Sequence, residues 1–136
     1  MDSSYNNYRI GYSGRKNIMV VDDNALLLRN MHVLLKEQYN VILVKNGMEA
    51  INKVMEKKPD LILLDYEMPD MSGAEVYRFF RADENTKDIP IVFLTSIADA
   101  QVVSELLSLK PEAYLLKPTE KGKLFSTIED VLQRRK

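Results

Sequence analysis

The stretch KNIMVVDDNALLL, residues 16–28, changes character halfway along. Ile18 to Val21 is an unbroken apolar run, and it goes straight into two adjacent aspartates, Asp22 and Asp23. From Asn24 onward the apolar residues Leu27, Leu28, Met31, Leu34 and Leu35 recur at helical spacing. Asn24 can cap that helix, which the spacing carries to about Gln38. The stretch predicts a short buried strand, an acidic turn and a helix. It also sets a problem. Two carboxylates at the mouth of a buried strand repel each other and are costly to keep ionised without a positive charge beside them.

The same unit recurs along the chain. Val41 to Val44 is a second apolar run, broken by Asn46-Gly47, and a helix through Ala50, Ile51 and Val54 ends before Pro59. Leu61 to Leu64 is a third, ending at Asp65, with a loop through Pro69 and Gly73 and a helix carrying Val76, Phe79 and Phe80. Ile89 to Leu94 is a fourth, with Pro90 near its start and Thr95 at its end, and a helix covers about Asp99 to Leu109. Ala113 to Leu116 is a fifth, ending at Lys117-Pro118, and a last helix carries Leu124, Phe125, Ile128, Val131 and Leu132. Five strand-then-helix repeats with continuously apolar strands predict an α/β fold. Its doubly wound parallel sheet is covered by helices on both faces, and its crossovers are right-handed.

In such sheets ligands sit outside the carboxyl ends of the strands, at the topological switch point. The residues that end strands are Asp22-Asp23, Asp65, Thr95-Ser96 and Lys117-Pro118; Lys45-Asn46 ends the second strand, which belongs toward an edge. Three carboxylates, a hydroxyl and an ammonium thus share one rim. Three carboxylates in one hollow need a counter-charge, and a hard divalent cation, Mg²⁺ by default, supplies it. Cysteine is absent and His32 is the lone histidine, which argues against zinc or copper. A mobile cation and the fixed Lys117 ammonium make a pocket for a dianion carried on an aspartate. That is the layout of phosphoryl transfer to a carboxylate nucleophile.

The remaining composition narrows the class. The 136 residues fit one domain, the formal charge of −1 lacks the basic excess of a nucleic-acid binder, and 46% hydrophobic residues are ordinary for a globular chain. The first 15 residues have no apolar core of a signal peptide, and no run approaches the roughly 20 apolar residues of a membrane span. The expectation is a cytoplasmic protein that binds neither membrane nor nucleic acid directly. Residues 1–15 read as a flexible polar leader that Tyr5, Tyr8 or Tyr12 can dock, and 16–136 as one domain. Met31, Met48, Met55, Met68 and Met71 read as core or loop filler, and His32 as an ordinary helix residue. Gln133-Arg134-Arg135-Lys136 suits a helix C-terminus.

These residues resemble the receiver domain of two-component response regulators, the CheY-like fold. The likeness runs from about Lys16 to the end. It rests on Asp22-Asp23, on Asp65 in LILLDYEMPDMSG (61–73), on Thr95 thirty residues past Asp65, and on AYLLKP (113–118) with Lys117 twenty-two past Thr95. It implies a flavodoxin-like sheet of order 2-1-3-4-5. It implies that Asp65 accepts a phosphoryl group from a sensor histidine kinase or a phosphotransfer protein. Asp23, Asp65 and the backbone carbonyl of Glu67 would hold Mg²⁺ directly, with Asp22 acting through water or orienting the site. Lys117 would pair with phosphoryl oxygens, and Thr95 would move inward with Tyr114 following. Small Ser96 would leave room, and a cis bond would precede Pro118. The fourth helix, fifth strand and fifth helix would then change surface and act on a downstream effector, an output domain or a second copy in a homodimer.

Three departures stand out. Pro111 and Glu112 replace the usual glycine turn before Tyr114, Thr119 follows Pro118 where a large apolar residue is common, and Ile97 occupies a position often smaller. Ile97 is expected to hinder water attack on a phosphoaspartate. Two other functions fit parts of the pattern: a Mg²⁺-dependent phosphohydrolase with Asp65 as nucleophile and Glu67 as acid, and a degenerate receiver that only binds partners. No stretch of cap length follows the nucleophile, which disfavours the first, and the intact acid set disfavours the second. The sequence ends about where the fifth helix should, so the expectation is a stand-alone receiver or the front of a longer regulator.

Overall fold

The computed structural model describes residues 14–134. The expected leader, including Tyr5, Tyr8 and Tyr12, lies outside the described residues except for Gly14 and Arg15, as do Arg135 and Lys136. The elements are β1 (Asn17–Val21), α1 (Ala25–Leu35), β2 (Asn40–Val44), α2 (Gly47–Glu56), β3 (Leu61–Asp65), α3 (Gly73–Ala82), β4 (Ile91–Thr95), α4 (Ala100–Ser108), β5 (Ala113–Leu116) and α5 (Lys121–Arg134). All strand pairs are parallel and the order is β2-β1-β3-β4-β5. This is the doubly wound, flavodoxin-like arrangement expected from the sequence.

Strand alternation divides the apolar residues between two cores. Met19, Val21, Ile62, Leu64, Ile91 and Phe93 face one side, where they pack with residues of α2, α3 and α4 such as Val54, Phe80 and Leu106. Ile18, Val20, Leu61, Leu63, Val92 and Leu94 face the other, against Leu28, Met31 and Leu35 of α1 and Leu124, Ile128 and Val131 of α5. Full burial of each such side chain is worth about 1.5–3 kcal/mol. The two-sided burial of β1, β3 and β4 explains their unbroken apolar runs.

The outer strands differ from that expectation. Residues of β2 and β5 are mostly half-buried, and Leu43 and Leu116 are exposed. An edge strand has a neighbour on one side only, so its apolar run overstates its burial. Two helix faces also differ. On α3 the buried set is Gly73, Val76, Tyr77 and Phe80, an i, i+3, i+4, i+7 stripe, and Phe79 points outward. On α2 Met48 and Met55 are exposed rather than filling core.

Helix starts are fixed by caps. The Asn24 side chain accepts from the Leu26 and Leu27 N–H groups, Asn46 from Glu49, and Asp99 from Gln101 and Val102. Ser72 and Glu75 form a reciprocal capping box at α3. α1 ends at Leu35, before Gln38, where the Gln38 and Tyr39 N–H groups both turn back to the Leu35 carbonyl. β4 begins at Ile91, after Pro90, which has no N–H to give the ladder. Each cap at a strand's carboxyl end turns the chain away and leaves the strand-end side chains on the rim.

Candidate functional site

Register sets the heights of the rim residues. Val21 pairs with Leu64, so Asp22 and Asp65 stand level at the ends of neighbouring strands. Asp65 pairs with Leu94 and Thr95 with Leu116, so Thr95 and then Lys117 stand progressively farther out. Alternation sets their sides. Asp22, Asp65 and Lys117 each follow by two residues a side chain of the α1/α5 core, namely Val20, Leu63 and Leu115. Thr95 follows Phe93, on the opposite face. The sequence order β1, β2, β3 crosses β1 between Asp22 and Asp65, so these two flank the topological switch point.

One carboxylate oxygen from each of Asp22, Asp23 and Asp65 lies within 4.8 Å of the others. Asp22 is 0% and Asp65 2% exposed, whereas Asp23 is open to solvent. The positive charge that the opening stretch requires is Lys117. Its Nζ lies 3.0 Å from Asp22 Oδ2 and 3.2 Å from Asp65 Oδ1. Asp22 Oδ1 accepts the Asn24 N–H at 2.9 Å, and Asp65 Oδ1 accepts the Glu67 N–H at 3.3 Å. Both Asp22 oxygens are thus engaged by the protein.

One ammonium against three carboxylates leaves the hollow negative. Burial pushes the Asp65 carboxyl up to about 7, the Asp22 charge adds to that, and Lys117 and the Glu67 N–H only partly oppose it. Burial alone would pull the Lys117 ammonium down, but its contacts with Asp22 and Asp65 outweigh burial and raise it. A buried, oxygen-only, under-compensated acid set fits a hard divalent cation. The residues whose side chains could hold it are Asp22, Asp23 and Asp65.

The other candidate residues fall around this cluster. Thr95 is fully buried, and its hydroxyl donates to Glu67 Oε1 at 3.3 Å while accepting the Ile97 N–H at 3.1 Å. Tyr114 is half-buried beside Phe93 in the neighbouring strand. Ser96 is exposed. The Lys117–Pro118 peptide is cis and Pro118 is exposed. The Lys117 N–H donates to the Thr95 carbonyl at 2.8 Å, which ties the end of β5 to that of β4. Before Tyr114 the chain turns with Lys110 at φ 58, the left-handed region, ahead of Pro111.

Two features of the site escaped the sequence. The first is the hydrogen bond from Thr95 to the Glu67 side chain; the sequence points to Glu67 for its backbone carbonyl and as the acid of a hydrolase, with no sign of that bond. The second is Gly73. A Cβ there would lie 2.2 Å from the Asp65 carbonyl oxygen and 2.8 Å from the Tyr66 Cα. The Gly73 N–H also donates to the Tyr66 carbonyl at 3.0 Å. The signal was a glycine at the first turn of a helix, where most residues do better.

Residues 18–129 match the family of response regulator receiver domains. The polar-differentiation response regulator DivK of Brucella anthropi is 32% identical over 118 residues, covering 86% of this chain and 96% of DivK. DivK of Brucella melitensis has the same identity and coverage. Among solved structures, the chemotaxis protein CheY4 of Vibrio cholerae superposes with a TM-score of 0.80 at 26% identity, covering 87% of this chain and 99% of CheY4. The signal receiver domain of a signal transduction histidine kinase from Syntrophus aciditrophicus gives a TM-score of 0.81 at 28% identity, covering 88% of this chain and 91% of that domain.

Proposed function

The chain belongs to the response regulator receiver domain family, and from that premise we propose that it is a phosphorylation-dependent switch with Asp65 as acceptor. Residues 16–136 form the receiver and 1–15 its leader. The observation that carries the reading is the buried Asp65 carboxylate held level with Asp22 and bridged to it by Lys117.

The donor is a phosphohistidine on a sensor histidine kinase or a phosphotransfer protein. An Asp65 oxygen attacks phosphorus, a P–O bond forms as the P–N bond breaks, and the electron pair leaves on the imidazole. Asp23, Asp65 and the Glu67 carbonyl would hold Mg²⁺, and Asp22 would act through water. The ion, when bound, supplies positive charge to the carboxylates and to the incoming phosphoryl oxygens. Lys117 gives up part of its carboxylate pairing for a phosphoryl oxygen. Thr95 turns its hydroxyl to another, Ser96 leaves room beside it, and Tyr114 follows into the space that Thr95 vacates. Pro118 ends β5 at the lysine.

The phosphoryl group adds about −1.5 to −2 charge and new acceptors, and this biases the α4–β5–α5 face. Leu107 and Leu116 are exposed there, which suits docking of an effector, an output domain or a second copy. Among the described residues no helix is long and apolar enough to cross a membrane, and we place the switch in the cytoplasm.

Turnover tests this reading against a phosphohydrolase. With acetyl phosphate and Mg²⁺ the protein should take up at most one phosphoryl group per chain by intact mass. It should not turn over small phosphoesters such as p-nitrophenyl phosphate. Repeated hydrolysis of the latter would make it an enzyme, and no uptake at all would make it a binding module.

Two substitutions probe the roles. Asp22 is committed to Asn24 and Lys117, whereas Asp23 is open to solvent and to an ion. Asp23→Ala should abolish Mg²⁺-dependent labelling, and Asp22→Ala should leave a slowed reaction. Equal losses would undo the division of labour. Ile97, 37% exposed and one hydrogen bond from Thr95, should screen the phosphoaspartate from water. Decay of labelled Ile97→Ala should be faster by several-fold; an unchanged half-life removes that role.

A further inference from the structure

We propose that the Glu67 side chain is a positioning residue of the switch, holding the Thr95 hydroxyl away from Asp65 until a phosphoryl group competes for it. The inference rests on the reading of Asp65 as phosphoryl acceptor.

A buried hydroxyl needs partners, and Thr95 is fully buried. Its hydroxyl donates to Glu67 Oε1 at 3.3 Å and accepts from the Ile97 N–H at 3.1 Å. A hydroxyl has one proton to give. Thr95 cannot donate to Glu67 and to a phosphoryl oxygen at once, so the two compete for the same hydrogen. The distance is long for an O–H···O bond, as suits a contact that must be released.

Glu67 is placed to feel the phosphoryl group. Its own N–H donates to Asp65 Oδ1 at 3.3 Å, so the backbone that carries this carboxylate touches the acceptor. A phosphoryl group on Asp65 puts about two negative charges beside it. Repulsion then drives Glu67 off Thr95, and the freed hydroxyl turns inward. Glu67 is half-buried and lines a groove of about 830 Å³ between α3 and α4 with Tyr66, Met68, Ser72, Arg78 and Glu105. The groove gives the displaced side chain room, and Arg78 gives it a counter-charge. Glu67 thus lowers phosphoryl affinity in the resting state and couples charge at Asp65 to the position of Thr95.

The test is a double-mutant cycle read as affinity for beryllofluoride, the stand-in for a phosphoryl group on a carboxylate, with saturating Mg²⁺ and the full chain. Glu67→Ala should bind about tenfold tighter than wild type, and the gain should fall to about twofold or less in a Thr95→Ala background. Glu67→Gln keeps the acceptor without the charge and should lie between wild type and Glu67→Ala. Thermal melts of each variant show whether the fold is kept. An unchanged affinity in Glu67→Ala overturns the proposal. An equal gain with and without Thr95 also overturns it, because plain charge repulsion then explains everything. Wild type that fails to bind beryllofluoride with Mg²⁺ overturns the acceptor reading as well.

Discussion

Asp65→Asn should leave a protein that takes no phosphoryl group and, without metal, melts higher than wild type at pH 8. The gain follows from the cost of the carboxylate. Asp65 is 2% exposed and its carboxyl is pushed up to about 7, against an ordinary value near 4. A group that holds its proton more tightly when folded stabilises the fold at low pH and loses that advantage as pH rises. Metal-free wild type should therefore lose stability between about pH 4 and pH 7, by an amount on the order of 4 kcal/mol. The amide also has to be desolvated and leaves Lys117 with Asp22 as its carboxylate partner, so Asp65→Asn should recover roughly half of that, about 2 kcal/mol. Thermal melts from pH 4 to pH 8 should show the two proteins diverging across this window. Added Mg²⁺ should raise wild type and leave the variant unmoved. Parallel melting curves at every pH would mean that Asp65 carries no electrostatic strain.

Gly73→Ala should be the most damaging glycine-to-alanine change among the described residues. The added Cβ meets backbone, the Asp65 carbonyl oxygen at 2.2 Å and the Tyr66 Cα at 2.8 Å. Neither can move without dragging the acceptor with it. Gly47 makes the control. A Cβ there meets the Val76 Cγ2 at 2.6 Å and the Met71 Sδ at 2.8 Å, both side-chain rather than backbone atoms. Helix propensity favours alanine over glycine by about 1 kcal/mol, but overpacking against a fixed backbone costs about 3 kcal/mol, so sterics win at Gly73. The Tm should fall by about 10 °C, with labelling of Asp65 lost or much slowed, while Gly47→Ala should shift less. A Gly73→Ala protein that melts within about 2 °C of wild type would show that the turn can yield.

Much of this was legible in the sequence for a physical reason. A strand buried on both faces must be apolar throughout, so Ile18 to Val21, Leu61 to Leu64 and Ile91 to Leu94 announce themselves, and the polar residue after each marks the rim. Side chains on the rim were legible as a set because a parallel sheet brings every strand end to one side. What failed was what a linear pattern does not carry. Leu43 and Leu116 look like core residues because apolarity does not say whether a strand has one neighbour or two. Apolarity alone does not place Phe79, which is exposed, while Tyr77, a polar-tipped ring, takes the buried position and gives its hydroxyl to the Lys110 carbonyl at 3.1 Å. The bond from Thr95 to the Glu67 carboxylate was not legible because residue type does not fix where a flexible side chain turns.

The most direct measurement locates the phosphoryl group. Wild type is incubated with acetyl phosphate and Mg²⁺, the acyl phosphate is trapped by borohydride reduction, and the modified residue is found by peptide mass. The expected result is one modification, at Asp65, absent when the metal is chelated and absent in Asp65→Asn. Modification at another carboxylate such as Asp23, or at Asp65 equally well without metal, would contradict the assignment of Asp65 as a metal-assisted phosphoryl acceptor.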